Sequence, residues 1–353
     1  MIYRIDYDGF SVSETELVKT LRSKDANYNF NKETGEMVTW GSSLLYDADR
    51  FPSPTILDME VTTICKGVNG VLCPFCYKAN SPNGKFMSME TFKKIMSVIP
   101  KSVTQIAFGA DSTLESNPYL FDMMEYARKN KGIIPNVTAA QISPETANKL
   151  AKLCGAAAIS RYHDKDACYD SIKLLTDRGM EQVNMHFMLS DETYDRCVET
   201  INDIVSDQRL SKLNALVILS LKKKGRGSHG FNCVSQERFN NIVKLAMDSK
   251  INIGFDSCSS FKALTSLGEK YKDMIIPCES TLESSYINVD GKFFPCSFME
   301  GEVEGIDVLA CKSEKDFIDN VWNNQDTENF RNSLLATDSK CQGDCRKCPF
   351  YEV

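Results

Sequence analysis

The stretch VTTICKGVNGVLCPFCYKAN, residues 61–80, decides how the chain is interpreted. Its apolar, β-branched start predicts the end of a strand, and the loop that follows holds Cys65, Cys73 and Cys76 at the spacing C-x7-C-x2-C. Three thiolates on one loop can bind zinc with a distant fourth ligand, or three irons of a 4Fe–4S cluster whose fourth iron stays open. The nearby sequence offers no fourth ligand for a closed zinc site, which favours the open site.

Composition narrows the class of protein. The 353 residues carry 41 basic and 48 acidic side chains, a formal charge of −7, so nucleic acid is not an expected partner. The first residues, MIYRIDYDGF, lack the features of a signal peptide, and no apolar run is long enough to cross a membrane. We therefore expect a soluble, cytoplasmic protein without a membrane partner.

The distribution of the fourteen cysteines separates metal ligands from core residues. A reducing compartment argues against a disulfide framework, so clustered cysteines favour metal or catalytic use. Besides the loop at 65–76, a second group closes the chain in CQGDCRKC, and two more flank a predicted hairpin; these are Cys341, Cys345 and Cys348, and then Cys278 and Cys296. Single cysteines within helical patterns are predicted to be buried in the core: Cys154, Cys168 and Cys197.

Three segments differ in their pattern. Residues 1–55 form an extension in which YNFNKETGEMVTW predicts a hairpin. Residues 56–255 alternate short apolar runs with helical periods in about six βα units, which predicts a parallel sheet covered by helices. The fold class is therefore α/β, with a partial (β/α)6 TIM-type barrel favoured over a three-layer sandwich, and the site at the ends of the strands. Residues 256–353 predict a cysteine-rich domain with a hairpin around Asp290 and Gly291.

With these features the chain resembles the radical S-adenosylmethionine (radical SAM) superfamily. Members of this superfamily carry three cysteines on the loop after the first strand, with an aromatic or apolar residue before the last one, and Phe75 fills that place in CPFC. The usual spacing is C-x3-C-x2-C, so the longer segment KGVNGVL between Cys65 and Cys73 has to bulge out of the loop.

The resemblance also implies cofactor-binding and catalytic residues. Gly109, Ala110 and Asp111 in AFGAD take the places of the Gly-Gly-Glu turn that binds the amino end of the methionine moiety. The segment after the sixth strand, LSLKKKGRG, resembles the one that cradles adenine, and the run of three lysines in it is interpreted as a solvated loop. The remaining residues expected at the cofactor are Ser160, Leu219 and Leu221, and those expected at the substrate are Tyr162, His163 and His186.

The C-terminal cysteines resemble a second family pattern. Cys278, Gly291 and Cys296 give C-x12-G-x4-C, which matches the first half of the SPASM and twitch auxiliary-cluster domains. The tail then offers only C-x3-C-x2-C, so one auxiliary 4Fe–4S cluster is expected. Its predicted ligands are Cys278, Cys296, Cys345 and Cys348, with Cys341 and Cys258 as substitutes.

The resemblance implies an enzyme that cleaves S-adenosylmethionine reductively at an open 4Fe–4S cluster and uses the deoxyadenosyl radical to take hydrogen from a substrate. The expected reaction is oxidation or crosslinking of a peptide or protein side chain, with electrons from a flavodoxin- or ferredoxin-type reductant. One alternative is oxidation or rearrangement of a small molecule such as a sugar or nucleoside. An alternative of another class is a zinc-stapled α/β binding protein.

Overall fold

The computed structural model describes residues 2–44, 46, 48, 50–268, 270–271, 275 and 278–335. Three predicted metal ligands, Cys341, Cys345 and Cys348, lie outside the described residues. None of the helices in the described ranges is long and apolar enough to cross a membrane.

The N-terminal segment is a five-stranded antiparallel sheet in which each strand pairs with the next. Its strands are β1 Tyr3–Tyr7, β2 Phe10–Glu14, β3 Val18–Ser23, β4 Asn27–Asn31 and β5 Met37–Trp40. The stretch predicted as a hairpin supplies only the last two strands. Apolar alternation does not reveal the others well, because inward positions of β2 and β3 hold the buried charges Glu14 and Lys19.

Seven parallel strands form the central sheet, and they are neighbours in chain order. They are β6 Ile56–Glu60, β7 Gln105–Gly109, β8 Ile134–Ala139, β9 Ala156–Ser160, β10 Val183–Leu189, β11 Ala215–Ser220 and β12 Ile253–Phe255. Helices follow each of them: α1 Met89–Val98, α2 Leu120–Lys131, α3 Pro144–Leu153, α4 Lys165–Thr176, α5 Tyr194–Ser206, α6 Gln236–Asp248 and α7 Ser260–Leu267. This arrangement is a mixed α/β fold built on repeated strand–helix units.

The C-terminal segment extends the same sheet. β13 (Ser284–Ile287) pairs in parallel with β6, and β14 (Lys292–Phe294) and β15 (Ile306–Asp307) continue antiparallel. Helices α8 (Glu314–Phe317) and α9 (Gln325–Leu335) follow. The sheet therefore crosses the predicted boundary at residue 256, and it is open because, within the described residues, β12 pairs only with β11.

The two faces of the parallel strands differ in polarity. In β10, Met185 and Phe187 are buried in the main core, whereas His186 between them is half-buried on the other face. A strand covered on both faces is usually continuously apolar, so this alternation indicates that the inner face lines a polar space. The cysteines predicted in the core, Cys154, Cys168 and Cys197, are all buried, as the helical pattern predicts.

The N-terminal sheet packs on the amino ends of the parallel strands. Lys19 Nζ donates a hydrogen bond to the carbonyl of Val103 at 2.9 Å, and the hydroxyls of Tyr28 and Thr104 lie 3.0 Å apart, just before β7 begins. Lys19 also lies 3.5 Å from the carboxylate of Glu14, and burial lowers the pKa of Lys19 to about 8. This sheet consequently supports the end of the strands opposite to the cysteine loop.

We expect the substitution Lys19→Met to lower the free energy of unfolding by about 2 kcal/mol. The variant loses the hydrogen bond to Val103, and the buried carboxylate of Glu14 keeps only one of its two cations. Denaturant unfolding measures the change. Lys24→Met, at an exposed position, is the control and should stay within about 0.5 kcal/mol of the parent. Equal losses in both variants would contradict a structural role for the buried amine.

Candidate functional site

A cavity of about 360 Å³ opens at the carboxyl ends of the parallel strands. Its volume lies within the range of about 300–1,000 Å³ that is usual for small-molecule sites. Most of the predicted site residues line it, although they come from separate parts of the sequence: Cys65, Cys73, Cys76, Gly109, Ala110, Asp111, Ser160, Tyr162, His186 and Leu219. The fold thus brings the cysteine loop and the ends of β7, β9, β10 and β11 around one space.

The long spacing between the first two cysteines is absorbed by a tight hairpin. The backbones of Val68 and Val71 exchange two hydrogen bonds of 3.1 and 3.0 Å across Asn69 and Gly70. Both turn residues have positive φ, 51° and 79°, as a type I′ turn requires. Gly67 also has a φ of 76°, and a Cβ atom there would lie 2.0 Å from the carbonyl oxygen of Val71. The inserted residues therefore form a hairpin whose two ends lie close together in the loop.

The tip of this hairpin is fixed to two strand–helix connections of the parallel sheet. Asn69 Nδ2 donates a 2.7 Å hydrogen bond to Asp164, and Gln141 Nε2 donates to Asn69 Oδ1 at 3.3 Å. Asp164 in turn caps helix α4 by accepting the backbone N–H of Ala167. The inserted residues are thus fastened to two other strand–helix connections, which holds the first cysteine in place.

Arg226 clamps the other half of the cysteine loop. Its Nε donates to the carbonyl of Cys73 at 2.9 Å, its Nη1 donates to the carbonyl of Asn80 at 3.0 Å, and its backbone N–H donates to the carbonyl of Cys76 at 3.0 Å. A planar guanidinium can serve two carbonyls at once, which an ammonium does less well. The loop after β11, which is predicted to cradle adenine, holds the cysteine loop through these three hydrogen bonds.

The thiols are in surroundings that suit an iron–sulfur cluster. Cys65 Sγ accepts the backbone N–H of Gly67 at 3.4 Å and lies 3.7 Å from the hydroxyl of Ser112. Hydrogen bonds to sulfur are one of the factors that set cluster potentials. Burial raises the pKa of Cys73 to about 12, so the free thiol is protonated, whereas a bound metal removes that proton.

No three His, Cys, Asp or Glu side chains within the described ranges converge on a point for a single metal ion. A cube-shaped 4Fe–4S cluster holds its thiolates at separate corners and has no need of such convergence. The three cysteines around one cavity therefore fit the cluster by their number, their position and their backbone donors.

Aromatic rings enclose the last cysteines. Phe75 packs edge-on against Tyr162 and Phe231, with centroid distances of 5.6 Å to each ring. Burial raises the pKa of Tyr162, and the neighbouring thiol of Cys73 raises it further. Tyr162 therefore stays a neutral phenol beside the thiols, and these rings exclude water from that side of the cavity.

The carboxylate of Asp111 caps the turn that follows β7. Asp111 lines the cavity, but its oxygens accept hydrogen bonds from the hydroxyl of Thr113 at 2.7 Å and from the backbone N–H of Ser116 at 3.1 Å. Because an aspartate is one methylene shorter than the glutamate of the family motif, it caps its own turn. Asp111 nevertheless lines the cavity, and its contact with the cofactor's amino group stays a prediction.

Other predicted residues lie away from the cavity. His163 is exposed, because it stands in the turn just before the cap of α4. Leu221 is buried at a separate small cavity beside Cys233. The interpretation of the lysine run as a solvated loop is wrong: Lys222 is buried beside the ring of Phe298, because the C-terminal segment covers this loop.

Residues that the sequence motifs did not reveal join the cysteine loop to the C-terminal segment. The ring of Tyr77 packs at a tilted angle against that of Phe298, with a centroid distance of 4.4 Å, and its hydroxyl donates a 3.1 Å hydrogen bond to Ser297. Lys78 lies 3.1 Å from Glu60 and also pairs with Glu300. Apart from Glu60 on β6, these residues closely follow Cys76 or Cys296 in the sequence, and this proximity was the available signal.

The C-terminal cysteines within the described residues are half-buried. Cys258, named as a substitute ligand, lies in the short helical turn that follows β12. Burial raises the pKa of its thiol, and the nearby thiol of Cys278 raises it further. Its place near Cys278 keeps it as a candidate ligand.

Comparisons with known proteins agree with this arrangement. Residues 278–349 match the SPASM model, described as an iron-sulfur cluster-binding domain. The fold is similar to that of Streptococcus suis SuiB bound to the precursor peptide SuiA, with a TM-score of 0.70 and 12% identity over 97% of this chain and 94% of that chain. SuiB bound to S-adenosylmethionine gives a TM-score of 0.68 at 12% identity, over 92% of this chain and 91% of that chain. No curated protein matches the sequence.

The fold and the C-terminal segment each match a known protein or domain. The chain shares the α/β fold of SuiB at 12% identity, and its residues 278–349 match the SPASM model. Both matches agree with the predicted resemblance to radical SAM enzymes with an auxiliary-cluster domain. The matched segment begins at Cys278, the residue predicted as the first auxiliary ligand.

We expect Gly67→Ala to remove the iron of the three-cysteine site, about four atoms per chain after anaerobic reconstitution. The added Cβ would overlap the carbonyl of Val71 and open the hairpin between Cys65 and Cys73. Gly35→Ala is the matched control, because Gly35 has a similar φ of 74° but nothing within 4 Å of the added atom. Equal iron content in both variants would contradict the role given to this hairpin.

We expect Arg226→Ala to speed the loss of iron from the same site to a chelator by about tenfold, because two charge-assisted hydrogen bonds to the loop disappear. Arg226→Lys keeps the charge without the two-carbonyl geometry and should fall between the parent and the alanine variant. Arg4→Ala, on exposed β1, is the control. An unchanged rate of loss in the alanine variant would rule out the clamp.

Proposed function

We propose that the chain is a radical SAM enzyme that cleaves S-adenosylmethionine reductively and takes hydrogen from a peptide or protein side chain, oxidising or crosslinking it. The observation that carries this proposal is the meeting of Cys65, Cys73 and Cys76 at one cavity, at the carboxyl ends of the parallel strands, in a chain with a SPASM domain. A peptide substrate is supported by the fold shared with SuiB, a protein whose structure holds a precursor peptide.

The three cysteines would hold a 4Fe–4S cluster through three of its irons and leave one for S-adenosylmethionine. When bound, this pair supplies a one-electron cleavage that generates a carbon radical able to take hydrogen. The protein's share is positioning: the hairpin at 67–71 and Arg226 fix the loop, and Phe75 and Tyr162 exclude water. Leu219 and Ser160 line the same cavity, where they would contact the cofactor.

The C-terminal segment would hold one auxiliary 4Fe–4S cluster. Its ligands are Cys278 and Cys296 with Cys345 and Cys348, while Cys341 and Cys258 are the substitutes. A cluster with four cysteine ligands has no open iron, which suits an electron acceptor for the oxidised product. The contact of Tyr77 with Ser297 places the segment after Cys296 directly beside the segment after Cys76, which supports this role.

The test measures iron and zinc per chain after anaerobic reconstitution, and deoxyadenosine formed from S-adenosylmethionine with dithionite in the same sample. We expect about eight irons and deoxyadenosine in the parent. Replacing Cys65, Cys73 and Cys76 together by Ala should leave about four irons and no deoxyadenosine. Cys311→Ala, at a half-buried cysteine after β15, is the control and should match the parent.

Other results of these measurements would favour a different assignment. Deoxyadenosine from the triple variant would contradict the assignment of the open site. One or two zinc ions with no deoxyadenosine would favour the zinc-stapled binding protein. A parent that forms deoxyadenosine and then oxidises a sugar or nucleoside, but no peptide, would replace the substrate class and keep the chemistry.

A further inference from the structure

Three polar side chains line the cavity without a protein partner. Asp58 on β6, Thr138 on β8 and His186 on β10 come from alternate strands of the parallel sheet. Within the described part of the chain, their side chains form no hydrogen bond or ion pair. Asp58 and Thr138 are exposed to the cavity and His186 is half-buried, so the polar atoms of all three are free to bind a ligand that enters the cavity.

The other charged groups of the cavity are already used by the protein. Lys78 pairs with Glu60 and donates a 2.8 Å hydrogen bond to Tyr286. Arg226 serves the carbonyls of the cysteine loop, and Asp111 caps its own turn. Among the described side chains that line this cavity, Asp58 alone carries a charge without a partner.

The surroundings of Asp58 keep its charge available. Its carboxyl is open to the cavity but enclosed by protein, and this burial raises its pKa to about 6, so it is ionised at neutral pH. Burial raises the pKa of nearby Glu279 to about 8, so that neighbour is neutral there. The adjacent residue in register on β7 is Ala107, whose small side chain leaves room in front of the carboxylate.

The two companions of Asp58 can accept hydrogen bonds. Burial lowers the pKa of His186 to about 4, so its imidazole is neutral at neutral pH and has one acceptor nitrogen. The hydroxyl of Thr138 can accept as well. A carboxylate with two further acceptors complements a positively charged group that carries several N–H donors.

We propose that Asp58, His186 and Thr138 form the substrate-recognition wall of the cavity and bind a protonated amine or a guanidinium of the substrate. This inference rests on the proposed function and narrows its substrate class to side chains of lysine or arginine type. Asp58 lies on β6 and lines the same cavity as the three thiols, so a bound cation would hold the neighbouring carbon atoms of the substrate within that cavity.

The experiment measures binding without turnover. Reconstituted enzyme with S-adenosylmethionine is titrated by calorimetry at neutral pH with N-acetyl-lysine methylamide, N-acetyl-arginine methylamide and the uncharged N-acetyl-norleucine methylamide. We expect at least one cationic probe to bind about tenfold more tightly than the norleucine probe, as a charge-assisted hydrogen bond provides. Asp58→Asn should remove this preference.

Two further variants keep the result interpretable. Asp58→Glu retains the charge and should keep part of the preference, which separates recognition from a general fault in folding. Asp248→Asn, at an exposed carboxylate on α6, is the matched control and should bind like the parent. The inference is overturned if the parent shows no preference for a cation, or if Asp58→Asn keeps it.

Iron content and deoxyadenosine formation are measured on the same preparations. A parent that loads clusters and forms deoxyadenosine, yet prefers no cationic probe, contradicts the recognition wall and leaves the proposed function intact. A parent that forms no deoxyadenosine contradicts the proposed function, whatever the binding preference is.

Discussion

The hydrogen bonds from Arg226 to the cysteine loop are the interaction on which the site depends. The sheet is open, because β12 and β6 do not pair within the described residues. A closed barrel would hold its strand-end loops together by strand pairing, but here one guanidinium reaches from the loop after β11 to the carbonyls of Cys73 and Asn80. The positions of the thiols therefore rest on a few charge-assisted bonds and on the hairpin at 67–71.

The C-terminal segment completes the cavity on its other side. β13 continues the sheet beside β6, and the residues after Cys296 pack on Tyr77 and Lys78. Lys78 is largely buried between the carboxylates of Glu60 and Glu300. Such a buried ion pair contributes little net stability, but loss of one partner is costly because it leaves a buried charge unpaired. The two cysteine-bearing regions are thereby held in one relative position, as electron exchange between them would require.

Stability and chemistry occupy opposite ends of the parallel strands. The N-terminal sheet packs on the amino ends through Lys19 and Tyr28, whereas every predicted cofactor residue that lines the cavity stands at the carboxyl ends. The two faces of the sheet differ in the same way. Side chains of β6 and β10 alternate between a face that packs on helices and a face that holds Asp58 and His186. Polar residues on the inner face break the continuous apolar pattern that would otherwise identify a strand, and their partners could not be known from the sequence.

The amino-acid sequence was sufficient to predict the parallel α/β fold and the place of Cys65, Cys73 and Cys76 on the loop after the first parallel strand. Periodicity and spacing are local properties, and they suffice for features that depend on neighbours in the chain. Three other features became visible in the folded chain alone: an Asn-Gly hairpin absorbs the seven-residue spacing, Asp111 caps its own turn, and Asp58 faces the cavity unpaired. Those outcomes depend on which distant groups each side chain meets, and that is set by packing between segments far apart in the chain.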